Sequence, residues 1–102
     1  MNGGIIATII DCHAICTAAA SAYRDAGREP GDDGPGLYYA TGRLELDYQR
    51  PTPIDATIEL EARVIERTRR SYVLSCDLHS AGKTRVRATI EAVRVPDSWV
   101  LG

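Results

Sequence analysis

The stretch Ile5-Ile6-Ala7-Thr8-Ile9-Ile10-Asp11-Cys12-His13-Ala14-Ile15-Cys16 decides the fold, because it is apolar along most of its length and carries one acid. It follows Asn2-Gly3-Gly4 directly, and the chain continues to about Tyr23 through several alanines and no proline, a composition that favours a helix. We therefore predict a helix over residues 5–23. An ionised carboxylate in apolar surroundings is costly unless it has a partner, so Asp11 is a candidate functional residue.

On a helical wheel, Asp11 lies on the side of this helix that carries small and apolar residues. The residues within about 60° of it are Ala7, Ala14, Ile15, Ala18 and Ala22. The opposite side carries His13, Thr17, Ser21 and Arg24, which are expected at the helix surface. Asp11 is therefore expected to face a neighbouring backbone or a thin ligand. A structural acid, held by a hydroxyl or amide of a neighbouring chain, is the alternative.

Four segments after the helix alternate between apolar and polar residues, which is the pattern of strands with one buried and one solvated face. A loop rich in glycine, proline and aspartate precedes them at residues 27–36. The predicted strands cover residues 39–48, 56–66, 71–79 and 84–95. One apolar helix followed by four strands predicts a single α+β domain over residues 1–102, in which a four-stranded antiparallel meander wraps the helix.

Composition restricts the classes of function. The net charge of −2 over 102 residues gives no basic footprint for nucleic acid. The three cysteines lack the short spacings of a secreted disulfide scaffold, and no second ligand pair completes a zinc site, so no metal is predicted. The sequence shows neither a basic leader nor a long uninterrupted apolar run. We therefore expect no signal peptide and no membrane span, and a cytoplasmic location.

Two motifs together resemble the hotdog-fold thioesterase superfamily and, within it, the phenylacetate-type acyl-CoA thioesterases. Asn2-Gly3-Gly4, with Asp11 seven residues after the second glycine, is similar to that family's His-Gly-Gly and acid. Thr41-Gly42-Arg43-Leu44-Glu45-Leu46-Asp47-Tyr48-Gln49-Arg50-Pro51 is similar to its second-strand pattern, which ends in Tyr-x-Arg-Pro. The resemblance covers nearly the whole chain and implies a hotdog fold, an antiparallel sheet wrapped around one long central helix.

The resemblance also implies the residues of an acyl-CoA thioesterase site. Asp11 is implied as the general base or nucleophile, and the Gly3 backbone N–H as the donor to the carbonyl oxygen. Thr41 is implied to orient the attacking water from a different subunit than Asp11, so that the site exists only in a homodimer or tetramer. Asn2 stands in place of the usual histidine and retains a hydrogen-bond donor that cannot titrate. No cofactor is implied, since CoA is part of the substrate.

Substrate-binding residues are expected beside this site and among the arginines. Gly4 adjoins the implied oxyanion donor. Guanidinium groups bind phosphate in a bidentate manner, which makes several arginines candidates for the CoA phosphates. These are Arg50, Arg67, Arg69 and Arg70. Solvated turn residues are the alternative for each of them.

Two other functions remain open. Family members usually have a further strand and a short helical segment before the Gly-Gly motif, where only Met1 and Asn2 stand here, which predicts a more open acyl pocket. With Asn2 in place of histidine, this leaves a non-catalytic acyl-CoA-binding or assembly module as a second hypothesis. The third is a dehydratase, whose chemistry needs a histidine working with an acid. His13 lies opposite Asp11 on the wheel, which argues against it.

Overall fold

A computed structural model describes residues 2–96, 98 and 99. One helix, α1 (Gly3–Asp25), precedes four strands, which are β1 (Tyr38–Tyr48), β2 (Ile58–Arg67), β3 (Ser71–Ser80) and β4 (Lys83–Val95). Every predicted element is confirmed, with bounds that differ from the prediction by at most two residues. The α+β class is confirmed with them.

The helix starts where its first backbone donors find a cap. The side-chain oxygen of Asn2 accepts hydrogen bonds from the backbone N–H groups of Gly4 and Ile5, at 2.7 and 3.4 Å. Asparagine is among the strongest residues at this capping position. The helix ends at Asp25, and Gly27 then adopts φ 66°, a left-handed conformation that glycine adopts without steric cost.

The strands form one antiparallel sheet in the order β1-β4-β3-β2. The predicted four-stranded meander is therefore wrong for β1, which pairs with β4 and not with its neighbour in sequence. Only β2, β3 and β4 form a meander. Pro51 and Pro53 follow β1 and cannot donate to a strand ladder, so the chain does not turn back as a hairpin there. It crosses instead to the opposite edge of the sheet.

α1 packs against one face of the sheet, and the two layers share the core. Its most buried members, all at most 3% exposed, include Ile6, Ile10, Ala14 and Ala18 of α1 with Leu74, Leu78, Val86 and Ile90 of the central strands. Each large apolar side chain buried in this way contributes about 1.5–3 kcal/mol. By length and composition alone α1 is also apolar enough to cross a membrane. Here it serves as the core helix of a two-layer domain.

The buried stripe of α1 is not centred on Asp11. Six residues define the stripe, namely Ile6, Ile10, Ala14, Ala18, Ser21 and Ala22. Asp11 lies about 60° from its centre, on the flank that meets the sheet edge. Ser21, predicted at the surface, is buried, and that prediction is wrong because the stripe centres near Ile10 and Ala14 and not on the acid.

Candidate active site

Asp11 has a partner within its own chain. Its carboxylate accepts a hydrogen bond from the Thr41 hydroxyl at 2.5 Å. The expectation that Thr41 reaches the acid from a different subunit is therefore wrong for this contact. Since β1 is an edge strand, the pair lies where the two-layer sandwich is open, and Thr41 is exposed.

The first turn of α1 leaves one backbone donor free. Asn2 occupies the N–H groups of Gly4 and Ile5 through its side chain, and its carbonyl accepts from the Ile6 N–H at 3.1 Å. Nothing in the described part of the chain accepts a hydrogen bond from the Gly3 N–H. The N-terminus of a helix favours negative charge, and a free N–H there can stabilise an oxygen that becomes negatively charged.

Tyr48 fixes the peptide next to this donor. In the sequence it was named only as part of a motif. Its hydroxyl donates to the Gly3 carbonyl oxygen at 2.8 Å. Gly3 and Tyr48 line a cavity of about 320 Å³ together with Ile6 and residues 49–52. The sequence feature that could have identified Tyr48 as a site residue is its alternation with Leu44 and Leu46. This alternation places all three on the side of the sheet that faces α1.

The predicted phosphate-binding arginines lie at opposite ends of α1. Arg50 follows β1 at the N-terminal end, lines the same cavity as Gly3 and donates from its guanidinium group to the Thr84 carbonyl at 2.8 Å. Arg69 and Arg70 lie in the β2–β3 turn at the C-terminal end, in a depression of about 660 Å³. Their guanidinium groups have no hydrogen-bond or ion-pair partner within the described residues.

Sequence reasoning missed a further arginine at this turn. Arg94, near the end of β4, lines the same depression, and its backbone N–H donates to the Arg70 carbonyl at 2.7 Å. The two arginines are 24 positions apart in the sequence. Only the pairing of β3 with β4 brings them together, so no local pattern identifies Arg94.

Arg67 belongs to a cluster of hydrogen-bonded side chains at the C-terminal end of α1. Its Nε donates to the Asp25 carboxylate at 3.1 Å, and the Tyr72 hydroxyl donates to the same oxygen at 2.9 Å. The Tyr72 hydroxyl and then the Arg67 guanidinium hold the pKa of Asp25 below its usual value. Burial, and then the bond to Asp25, raise the pKa of Tyr72 to about 12. Unlike the guanidinium groups of Arg69 and Arg70, that of Arg67 therefore has an ion-pair partner within the described residues.

A dehydratase needs a histidine paired with its acid, and neither His13 nor His79 forms a hydrogen bond or ion pair with Asp11 within the described residues. The carbonyl of His13 accepts from the Thr17 hydroxyl at 2.8 Å, within the helix. The ring of His79 lies on the outer face of the sheet, 2.9 Å from Thr84 Oγ1 and 3.4 Å from a carboxylate oxygen of Glu61. The dehydratase hypothesis therefore finds no histidine–acid pair at Asp11 within one chain.

The clustering of potential metal ligands and the exposure of the cysteines bear on metal and thiol chemistry in the described part of the chain. Over residues 2–96, 98 and 99, no group of three His, Cys, Asp or Glu side chains could hold a metal ion. Cys12 and Cys16 are exposed on the helix, and Cys76 is buried in the core. Burial raises the pKa of the Cys76 thiol to about 11, which leaves it protonated and unreactive at neutral pH.

Comparison with known proteins identifies the family. The model of the thioesterase superfamily matches residues 1–94. The crystal structure of a thioesterase superfamily protein from Shewanella loihica PV-4 is 30% identical in sequence, with a TM-score of 0.74 and with 94% of this chain and 69% of that chain covered. No curated protein matches the chain significantly.

Two further solved structures share the fold at lower identity. A thioesterase from Thermus thermophilus, complexed with coenzyme A and Zn, is 14% identical with a TM-score of 0.70, covering 94% of this chain and 66% of that chain. The BH2602 protein from Bacillus halodurans, solved with CoA, is 18% identical with a TM-score of 0.69, covering 94% of this chain and 56% of that chain. The chain thus spans about 56–69% of the length of these three solved chains.

The resemblance seen in the two sequence motifs is confirmed at the level of the superfamily. One long helix on a four-stranded antiparallel sheet matches the hotdog architecture of the thioesterase structures, so the predicted fold is confirmed. The family model covers nearly all of the sequence, and the Shewanella protein reaches 30% identity over almost the whole chain. The chain belongs to the thioesterase superfamily.

Proposed function

We propose that this protein hydrolyses acyl-CoA thioesters to a free acid and CoA. The observation that carries the proposal is the Asp11 carboxylate, hydrogen-bonded to the Thr41 hydroxyl at an open edge of the fold. Membership of the thioesterase superfamily supports thioester chemistry. Two proteins that share the fold were crystallised with CoA, which supports CoA as the carrier of the acyl group.

In the proposed reaction Asp11 acts as the general base. Thr41 donates to one carboxylate oxygen, and the second oxygen is left to accept a proton from water. The water oxygen attacks the thioester carbonyl carbon, the C–S bond breaks, and the proton passes from Asp11 to the departing thiolate of CoA. Direct attack by the carboxylate, followed by hydrolysis of the mixed anhydride, is the alternative that the same geometry allows.

The proposed oxyanion donor, the Gly3 N–H, belongs to a second copy of the chain. Gly3 and Asp11 are eight positions apart in the helix, which is about 12 Å along the axis. A donor must approach the carbonyl oxygen to about 3 Å while the base is at most one water from the carbonyl carbon, so one chain cannot supply both. We therefore place Gly3 of one copy opposite Asp11 and Thr41 of another. The smallest active unit is then a homodimer, and a tetramer is a dimer of dimers.

The free edge of the sheet gives a second copy access to Asp11. β1 pairs with β4 on one side only, so the backbone groups along its other edge are unpaired within the described sheet. Unpaired strand edges are templates for pairing with another chain. Thr41 lies on this strand, so a second copy docked there reaches the Asp11–Thr41 pair directly.

For the CoA phosphates the structure supports two alternative anchors. Arg50 lies beside Gly3, while Arg69 and Arg70, with Arg94, lie at the far end of α1. Separate Arg50→Ala and Arg69→Ala/Arg70→Ala variants distinguish them, because the true anchor raises KM for acyl-CoA more than KM for an acyl thioester that lacks the nucleotide. Gly4 remains a proposed substrate neighbour through its place beside Gly3.

The test of the function is a hydrolysis screen with free-thiol detection on the wild type and Asp11→Asn in parallel. The panel contains short-chain, long-chain and aromatic acyl-CoAs, since the resemblance to the phenylacetate-type branch makes aromatic acids the first candidates. Removing a general base is expected to lower kcat by about 10²–10⁴. Unchanged turnover in Asp11→Asn contradicts the mechanism. CoA binding without hydrolysis of any member of the panel favours the binding module instead.

A further inference from the structure

We infer that Gly42 is a positioning residue of this site, because a β-bulge at this glycine turns Thr41 toward Asp11. For its catalytic consequence the inference rests on the proposed function, whereas the contact itself rests on strand geometry alone. Gly42 touches neither Asp11 nor the proposed substrate position, so it acts only through Thr41.

At Gly42, the regular alternation of the β1 side chains between the two faces of the sheet is interrupted. After it, Leu44 and Leu46 pack against the core cluster formed with α1. Before it, Tyr39 packs against the second core cluster and Thr41 reaches Asp11 on the same helix. Successive side chains of a regular strand point to opposite faces, so Thr41 and Leu44, three positions apart, would lie on opposite faces. They share a face only because the strand is interrupted between them.

The interruption is visible in the pairing of β1 with β4. Thr41 lies opposite Ala92, and Arg43 lies opposite Glu91, which leaves Gly42 without a partner in the ladder. One extra residue on one strand of an antiparallel pair is a β-bulge, and glycine within a strand commonly marks one. The side chains of β1 that face α1 are therefore odd-numbered before the bulge and even-numbered after it.

The packing around the bulge explains why glycine occupies it. A Cβ atom at Gly42 would lie 2.7 Å from Cγ2 of Val93 and 3.4 Å from a carboxylate oxygen of Glu91, on the outer face of the sheet. The first separation is shorter than real Cβ contacts. Valine is branched at Cβ and has a restricted χ1, so it cannot easily move aside. A side chain at position 42 must therefore push β1 away from β4 or straighten the strand.

Either response moves Thr41 away from Asp11. A straightened strand would turn Thr41 to the outer face, because a shift of one residue reverses every side chain beyond it. The bulge also supports the core, since the ring of Tyr39 packs edge-on against Tyr72 at 5.6 Å between centroids. A test must therefore separate the position of Thr41 from general stability.

The first experiment compares Gly42→Ala, Val93→Ala and the double variant. We expect Gly42→Ala to lower kcat by about 100-fold with little change in KM, as for a misplacement of about 1 Å at a reacting centre. Val93→Ala alone is expected to keep the wild-type kcat. In the double variant the missing Val93 methyl groups make room for the new Cβ, so most of the lost kcat is expected to return.

The matched control is Val64→Ala, which removes a side chain packed against the second core cluster from β2, away from the bulge. It is expected to lower the urea midpoint and leave kcat unchanged. The inference is overturned if Gly42→Ala keeps the wild-type kcat. It is also overturned if the double variant is no more active than Gly42→Ala, because the effect then does not arise from crowding against Val93.

The second experiment needs no activity. The urea midpoints of Thr41→Val, Asp11→Asn and their double variant are measured in the wild-type and in the Gly42→Ala background. We expect non-additive shifts in the wild-type background, where the two side chains are bonded, and additive shifts in Gly42→Ala. Equal non-additivity in both backgrounds overturns the inference. A wild type inactive toward every acyl-CoA defeats the proposed function, and this cycle still decides the role of Gly42.

Discussion

The two ends of α1 differ in how their polar groups are satisfied. At the C-terminal end, Arg67 and Tyr72 both donate hydrogen bonds to the Asp25 carboxylate. At the N-terminal end, the Gly3 N–H has no partner within the described residues, and the adjoining Tyr48 is 48% exposed. A helix normally has four backbone donors to satisfy at its start, and here Asn2 caps only part of them. The Asp25 carboxylate at one end has hydrogen-bond partners, and the Gly3 N–H at the other end is available to a ligand.

This contrast suggests that the two ends have different roles. Loss of the Gly3 N–H at the N-terminal end is expected to alter hydrolysis more than stability, because this donor is available to substrate. A change to Tyr72 at the C-terminal end is expected to alter stability and leave hydrolysis unchanged, because its hydroxyl bonds to Asp25. Arg69 and Arg70 at the same end remain candidate anchors for CoA. Gly3→Pro and Tyr72→Phe test this division, and Asn2→Ala tests the helix cap. The three are taken from the largest expected effect to the smallest.

Gly3→Pro removes the proposed oxyanion donor and should retain the helix. Proline is well tolerated at the first position of a helix, where its missing N–H has no helical partner. Loss of one oxyanion donor is expected to lower kcat by about 10²–10³. Gly3→Ala is the matched variant, since its Cβ would lie at an ordinary 3.5 Å from the Tyr48 hydroxyl while the N–H is retained. Equal kcat in the two variants would remove Gly3 from the mechanism.

Tyr72→Phe removes the hydrogen bond to Asp25 at the C-terminal end. It is expected to change how the free energy of unfolding falls at alkaline pH. The folded state raises the pKa of Tyr72 from 10.0 to about 12, so the hydroxyl holds its proton more tightly in the folded chain. The resulting stabilisation is complete below pH 10 and disappears as the pH approaches 12. The wild type should lose about 2 kcal/mol over this range that the variant does not lose.

The measurement for Tyr72→Phe is the urea midpoint of both proteins at several pH values between 8 and 12. We expect the two curves to be separate at pH 8 and to converge toward pH 12, with kcat at pH 7 equal in both. Parallel curves would show that folding does not raise the pKa of Tyr72, either through burial or through the bond to Asp25. A large loss of kcat in the variant would contradict the division between the ends.

Asn2→Ala has the smallest expected effect of the three, a loss of about 1 kcal/mol in the free energy of unfolding. The side-chain oxygen of Asn2 is the cap for Gly4 and Ile5, so Asn2→Asp, which keeps an acceptor, is expected to retain most of the stability. Thermal denaturation of the three proteins checks this. Equal melting temperatures for Asn2→Ala and the wild type would show that the cap is dispensable.

The sequence predicted the elements well, because local patterns determine them. The apolar run around Ile10 and the alternation in β2, β3 and β4 located every element to within two residues. The position of β1 in the sheet was predicted wrongly, because alternation shows which residues are buried and does not show which strand lies alongside. The prolines after β1 signal that its hairpin is interrupted, but they do not identify β4 as its partner.

The candidate site was predicted in part. Asp11 and Thr41 were both predicted as site residues, but the contact between them within one chain was not predicted. The regular alternation of Leu44 and Leu46 places Thr41 on the outer face, and only the bulge at Gly42 reverses this. A glycine inside a strand was the available signal. Tyr48 and Arg94 were missed as site residues because their contacts depend on the packing of distant elements.

The central claim, that Asp11 of one copy works with Gly3 of another, is tested most directly by mixing two inactive variants. Asp11→Asn and Gly3→Pro are unfolded together, refolded and assayed for acyl-CoA hydrolysis. A mixed dimer holds one intact site, and random pairing of the two chains predicts recovery of about a quarter of the wild-type activity. Activity in the mixture no higher than that of the separate variants would contradict the claim.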